Sequence, residues 1–192
     1  MAIILDFDKT LTKRDSLTLF TFFLWRGKHV HRYTILKLLF LSVKYIFKRI
    51  DNNEFKNSYF CLLQVKKKEI YSLFDEYLES HLFKKNLNMS AIILSFLSDD
   101  QLMVVTASPS YYVSKVFPKI SVIGGELIFD DSELCCGYKN CYGDSKVTNL
   151  SSKKVEVDYV FTDSISDMPL IKICKKEAFL VKGERIIKKI VS

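Results

Sequence analysis

The chain begins Met1-Ala2-Ile3-Ile4-Leu5-Asp6-Phe7-Asp8-Lys9-Thr10-Leu11-Thr12, a short apolar run that ends in two carboxylates one residue apart. The uncharged segment Ala2–Leu5 reads as a strand buried on both faces, as in parallel sheets. In open α/β sheets, ligands bind just beyond the carboxyl ends of the strands. Two acids placed there cannot pair with each other and need a metal ion, a proton or a cationic partner. Side chains two residues apart share a face within a strand, but here the chain is leaving the strand. Asp6 is therefore expected to point at a ligand, with Asp8 hanging over it from the following loop.

The 192 residues are 48% hydrophobic, enough for one good core and a smaller module. Net charge is +7, and residues 14–88 carry 14 Lys/Arg against 7 Asp/Glu, so the whole excess lies in that segment. Such asymmetry points to an anionic partner: a phosphorylated ligand, a membrane surface or nucleic acid. The basic residues are interleaved with aliphatic ones and do not form a basic groove of stacking aromatics, which argues against nucleic acid. Cys61, Cys135, Cys136, Cys141 and Cys174 form no CxxC pair. They read as reduced thiols of a cytoplasmic protein. A first strand that starts at residue 2 leaves no room for a removable leader.

Along the chain, Ser16 to about Leu97 has apolar residues at helical spacing, with breaks at Asp51-Asn52-Asn53 and around Asn86–Ser90. Strands are expected at Leu102–Val105, Ile120–Ile123, Tyr159–Phe161 and Ala178–Val181, and a hairpin over Glu126–Cys136. Helices are expected from Pro109 to Phe117, over Gly143–Leu150, over Ser166–Cys174 and finally over Glu184–Val191. The fold class is thus α/β, a Rossmann-like parallel sheet with an inserted all-helical domain. The expected division is 1–14 and 90–192 for the α/β core and 15–89 for a helical cap over the carboxyl edge of the sheet.

Four pieces follow apolar strands or open helices: Asp6/Asp8/Thr10, Thr106, Lys146 and Asp163/Asp167. Each is common by itself, but their order and placement together resemble the haloacid dehalogenase (HAD) superfamily of aspartate-nucleophile phosphotransferases. Asp6-Phe7-Asp8-Lys9-Thr10 resembles that family's DxDxT motif. Thr106-Ala107-Ser108 resembles its Ser/Thr motif after a strand. The segment Asn140–Lys146 resembles the one bearing its lysine, and Phe161–Leu170 resembles its acidic motif. A helical insertion after the first motif resembles the phosphoserine-phosphatase-like subgroup.

The resemblance implies a phosphatase acting through an aspartyl-phosphate. Asp6 would be the nucleophile, Asp8 the general acid and base, and Lys146 a catalytic and phosphate-binding cation. Mg²⁺ would be held by Asp6, the Asp8 backbone carbonyl and Asp163. Thr106, Ala107 and the backbone N–H groups of the loop from Phe7 to Lys9 would bind phosphate oxygens. Thr10 would lock the loop, Asp167 would orient Lys146 or metal-bound water, and Ser108 is the nearby alternative to Thr106. The chain departs from the phosphoserine phosphatases at Ser166, where they usually carry Asn, and at Ala107-Ser108, where they carry Gly-Gly. Asp15 stands where their cap acid falls, but no arginine matches their cap arginine.

Residues 16–50 hold seven Lys/Arg and no acid. Within them, 33–49 reads as a broad apolar helix with Lys37, Lys44 and Lys48 on one side, too short to span a bilayer but suited to an anionic interface. The alternative is a cap helix packed on its neighbours with solvated lysines. The basic apolar helix loosely resembles lipid-directed members of the subgroup, of the phosphatidylglycerophosphatase C kind. The expected substrate is a phosphorylated small molecule or a lipid phosphate, with peripheral contact at the inner face of a membrane through 33–49. Phosphoserine or another small metabolite phosphate is the alternative substrate, and an acceptor other than water the alternative reaction. Outside enzymes, the competing reading is a binding or regulatory module. His29, His31 and His81 have no ligand-like acidic partners and read as surface or packing residues.

Overall fold

The structure is a computed structural model that describes residues 2–87, 101–182 and 185–191. Its seven-stranded sheet comprises β1 (Ile3–Leu5), β2 (Leu102–Pro109), β3 (Ser121–Phe129), β4 (Cys135–Lys139), β5 (Tyr159–Thr162), β6 (Glu177–Lys182) and β7 (Arg185–Val191). The spatial order is β4-β3-β2-β1-β5-β6-β7. Strands β3, β2, β1, β5 and β6 run parallel, while β4 and β7 close the two edges antiparallel. The three residues of β1 are fully paired on both sides, to β2 and to β5, so the opening segment is the centre of the sheet.

Alternation along β1 explains why it lacks polar residues. Ile3 and Leu5 join one buried cluster, whereas Ala2 and Ile4 join another on the opposite face. The second face is covered by α7 (Asp144–Ser152) and α8 (Met168–Lys172), which bring Leu150, Leu170 and Ile171. The first face is covered by α6 (Ser110–Val116) and by helices inserted between β1 and β2. These are α1 (Ser16–Arg26), α2 (Arg32–Ile46), α3 (Asn52–Leu63), α4 (Lys67–Glu79) and α5 (His81–Asn86). Local chemistry sets their starts: Asp15 accepts the N–H of Thr18 at 2.8 Å and Asp51 that of Glu54 at 2.7 Å.

The insertion has no core of its own. Its buried aromatics Phe20, Phe60, Phe74 and Tyr77 belong to the same cluster as Ile3, Leu5 and Phe161 of the sheet. Phe74 packs tilted against Tyr112 of α6 at 5.2 Å, and Tyr71 lies flat on Tyr111 at 4.1 Å. Backbone bonds tie the insertion to the β3–β4 hairpin, from Lys67 N–H to Glu133 (2.8 Å) and from Cys135 N–H to Val65 (3.0 Å).

Three expectations need correction. Residues 185–191 form an edge strand and not the end of a helix. The pattern Ile186-Ile187-Lys188-Lys189-Ile190-Val191 suits either period, but β6 would otherwise present an unpaired edge, and β-branched residues fit one well. Strand β3 is continuous from Ser121 to Phe129, so the hairpin joins it to β4 through a turn held by the Asp130 carboxylate. The helix expected over Ser166–Cys174 is a short 3₁₀ turn, Ile165–Asp167, followed by α8. The helical pattern and the domain boundary near 88–97 lie outside the described residues. No helix of the described residues is long and apolar enough to cross a membrane.

Because Phe74 is fully buried between insertion and sheet, Phe74→Ala is expected to cost about 3–5 kcal/mol. Urea denaturation should show one transition at lowered midpoint for both parts, not early loss of the insertion alone.

Candidate active site

The carboxyl ends of β1, β2 and β5 meet at a cavity of about 460 Å³. Asp6, Asp8, Thr106, Lys146, Asp163 and Asp167 all line it, so the pieces picked from four separate parts of the sequence come together. Asp6 leaves β1 with its N–H bonded to the Phe161 carbonyl at 2.9 Å, which fixes its direction. The chain then turns tightly: the Phe7 carbonyl accepts the N–H groups of Leu11 (2.9 Å) and Thr12 (3.2 Å), and Lys9 adopts a left-handed φ of 60°.

Lys146 reaches the site from the first turn of α7. Gly143 precedes that helix at φ 57°, a backbone region that favours glycine. The Lys146 ammonium lies 2.8 Å from Asp6 Oδ1 and 2.8 Å from Asp167 Oδ1, fully enclosed by protein. Asp167 also accepts the Thr162 hydroxyl at 2.7 Å and makes no helix-capping bond of its own. Burial pushes the Lys146 pKa down, but the two carboxylates outweigh it and hold the lysine charged above its ordinary value. Burial raises the Asp6 carboxyl to about 7, because the attraction of Lys146 does not fully offset lost hydration and the neighbouring charge of Asp167.

Asp8 is held from the opposite side. It accepts the Ser16 N–H at the start of α1 (2.7 Å) and the Ser108 hydroxyl (2.5 Å). Behind it, the Ser16 hydroxyl meets the Ser108 hydroxyl at 3.2 Å and that of Tyr112 at 2.6 Å. Burial and the charge of Asp15 raise the Asp8 carboxyl as well. Asp163 is half-buried, and its carboxyl is raised by burial although Lys9 pulls it down.

These carboxylates share more negative charge than Lys146 alone neutralises. Among the described residues no three His, Cys, Asp or Glu side chains form a closed metal cage. The acidic residues lining the cavity, Asp6, Asp8, Asp163 and Asp167, offer hard oxygen donors. That fits a cation such as magnesium, which takes one or two carboxylates and keeps waters.

The geometry reassigns some residues. Ser108 lies behind Asp8 and does not line the cavity; Thr106 does, and its hydroxyl accepts the Ser108 N–H at 3.0 Å. Ala107 lines it too, with its carbonyl taken by Tyr138 and by Lys56. The Phe7 ring packs in the core against Tyr112 and Phe117. Thr10 is buried with no hydrogen bond to its hydroxyl, and the loop is instead locked by Thr12, which accepts the Lys9 N–H at 3.0 Å and donates to Arg14. Lys9 N–H is therefore not free for a phosphate oxygen.

Lys56 of α3 escaped the sequence reading. Its ammonium enters the cavity from the insertion and donates to the Ala107 carbonyl at 2.7 Å. Burial lowers its pKa, against the opposing pull of Asp8, Asp15 and Asp6. A signal existed: Lys56, Tyr59, Phe60 and Leu63 fall on one helical face, and all four are buried.

In the absence of a divalent cation, the folded chain holds a proton on Asp6 that the unfolded chain releases near pH 4. Stability is therefore expected to fall as pH rises from about 4 to about 7. Melting temperature measured in EDTA from pH 5 to 7.5 should decline. In Asp6→Asn the decline should flatten, and the variant should melt higher than the parent at pH 7.5.

Comparison with known proteins bears on the family and the fold. The family model described as haloacid dehalogenase-like hydrolase matches residues 3–172. Among solved structures, a protein of unknown function from Bordetella pertussis Tohama I superimposes with TM-score 0.76 at 17% identity, over 89% of this chain and 85% of that one. A phosphoserine phosphohydrolase-like protein from Francisella tularensis gives 0.60 at 16% identity, over 93% and 86%. A substrate-bound phosphoserine phosphatase gives 0.60 at 13%, over 94% and 86%. Comparison with curated proteins returned no match. With a match that spans five of the seven strands and all four site segments, this chain belongs to the haloacid dehalogenase-like hydrolases.

Proposed function

We propose that the protein is a Mg²⁺-dependent phosphatase that hydrolyses a phosphomonoester through an aspartyl-phosphate on Asp6. The observation that carries this reading is the placement of Asp6 at the end of the central strand, at the cavity floor, with Lys146 on one of its oxygens and Asp8 opposite. In this reading one Asp6 oxygen attacks phosphorus in line with the leaving oxygen. Asp8, whose carboxyl is raised, gives its proton to the leaving oxygen and later takes one from the attacking water. Lys146 and the Thr106 hydroxyl stabilise charge on the phosphoryl oxygens. Bound Mg²⁺ would supply the positive charge that keeps Asp6 ionised and lets an anionic carboxylate approach an anionic phosphate.

Residues 15–89 act in this reading as a cap that encloses the substrate. They contribute Asp15, Ser42, Tyr45, Phe55 and Lys56 to the cavity wall. Lys56 is the cation the insertion supplies, and we assign it to an anionic group of the substrate. Phosphoserine fits less well than other phosphomonoesters, since no arginine lines the cavity among the described residues to take an amino-acid carboxylate, and Leu17, Ile46 and Phe55 add apolar wall beside Asp15, Thr18, Ser42 and Asn52. A lipid or membrane-associated phosphate suits that wall better.

Release of phosphate from an aryl phosphate is expected to require Mg²⁺ and to stop in EDTA. Asp6→Asn should lower turnover by at least about 10³-fold. Turnover indifferent to Asp6 would break the assignment. Lys56→Met should fold normally yet lower kcat/KM by about 10–100-fold, the value of one charge-assisted hydrogen bond.

A further inference from the structure

The described residues carry 14 exposed large apolar side chains, and nine of them lie between Phe22 and Phe47. They are not scattered. Helix α2 buries Ile35, Leu38 and Leu41 against the insertion, yet it leaves Leu36, Leu39, Phe40, Val43 and Ile46 exposed on its other side. A helix apolar all round is normally enclosed, so this face lacks a partner.

Between α1 and α2 runs a second cavity of about 710 Å³. Its walls are Phe22 and Trp25 on one side and Leu36, Leu39 and Ile46 on the other, over a floor of Phe55 and Tyr59. It opens into the candidate active site: Asp15, Leu17, Thr18, Ser42, Ile46 and Phe55 line both cavities. From Ile46 to Leu36 it follows α2 for about 15 Å. One end therefore holds carboxylates, Lys56 and Lys146, and the rest is mostly apolar, with Thr21 and Arg32 its polar members.

Charge identifies where such a substrate comes from. Residues 16–50 contain seven Lys/Arg and no Asp or Glu. Lys37 and Lys44 fold over the rings of Tyr33 and Phe40 at 4.5 and 5.0 Å, keeping cations beside the apolar face. An apolar face collared by cations complements an anionic bilayer surface.

We infer that the substrate is a phosphorylated amphiphile drawn from an anionic membrane, with its phosphate at Asp6 and its alkyl chain in the groove between α1 and α2. This rests on the phosphatase reading for the fate of the phosphate, but the groove can be tested without turnover. Trp25 is the only tryptophan of the chain, stands half-exposed in the groove wall, and reports its occupancy directly.

The test is titration of the Asp6→Asn protein with n-alkyl phosphates from ethyl to decyl, below their micelle concentrations, read by Trp25 emission. The expected result is a blue shift, with affinity tightening about fourfold per methylene until the chain outgrows the groove. In a protein that also carries Leu39→Asp, on an exposed position that tolerates polarity, the dependence on chain length should flatten. Affinity independent of chain length, or unmoved emission at every length, overturns the inference. Hydrolysis of ethyl phosphate by the unsubstituted protein reports separately on the phosphatase reading. Co-sedimentation at low salt with phosphatidylglycerol-containing vesicles, but not with phosphatidylcholine alone, is expected, and failure to bind either overturns the membrane source. Self-association that Leu39→Asp abolishes, with no response to alkyl chains, would assign the face to a second copy and likewise overturn it.

Discussion

The buried ammonium of Lys146, held between Asp6 and Asp167, is the contact around which the site is arranged. Asp6 ends the central strand, Asp167 follows β5, and Lys146 comes from α7, so one cation joins three segments far apart in sequence. Taking such charges out of water costs several kcal/mol per ion, and removing Lys146 would leave two carboxylates buried without their shared cation. The cluster is therefore a device for geometry more than a source of net stability. It aims Asp6 and brings its carboxylate near those of Asp8, Asp163 and Asp167, with Lys56 and Lys9 as the further cations lining the cavity. Burial, with neighbouring carboxylates adding to it, raises the carboxyls of Asp6, Asp8 and Asp163.

A second constraint ties the insertion to the chemistry. The Asp8 carboxylate sits on the first N–H of α1, and the Ser16–Ser108–Tyr112 hydroxyl chain links that helix start to β2 and α6. The Tyr77 hydroxyl donates to the Ser16 carbonyl at 3.0 Å, extending the link to α4. Lys56 fastens α3 to the Ala107 carbonyl. With a hydrophobic cluster shared between insertion and sheet, the helices that line the cavity are the same ones that hold the Asp8 carboxylate in place.

The same insertion divides its apolar residues between two tasks. Phe20, Phe60, Phe74 and Tyr77 complete the core, while Phe22, Trp25, Leu36 and Leu39 stay exposed along a groove. Their alternation on α1 and α2 follows helical geometry, but helical spacing alone does not tell which apolar face finds a partner.

What the sequence determined by itself was the pattern of period and polarity. Short uncharged runs at Ile3–Leu5, Leu102–Val105 and Tyr159–Phe161 demanded burial on both faces, which only a parallel sheet covered by helices supplies. Acids and a threonine at the ends of such runs had to meet at one edge, because parallel strands end together. Tertiary structure alone decided the rest. Residues 185–191 became a strand because β6 offered an open edge. Thr12 replaced Thr10 as the lock of the first loop because the turn at Lys9 brings its hydroxyl to that N–H. Lys56 entered the site because α3 docks on the β3–β4 hairpin, where Asn57 accepts the Tyr138 N–H at 2.9 Å. Sequence records which face of a helix is apolar, but the neighbour that face meets, and hence the charge it carries inward, is set by packing between segments that are distant along the chain.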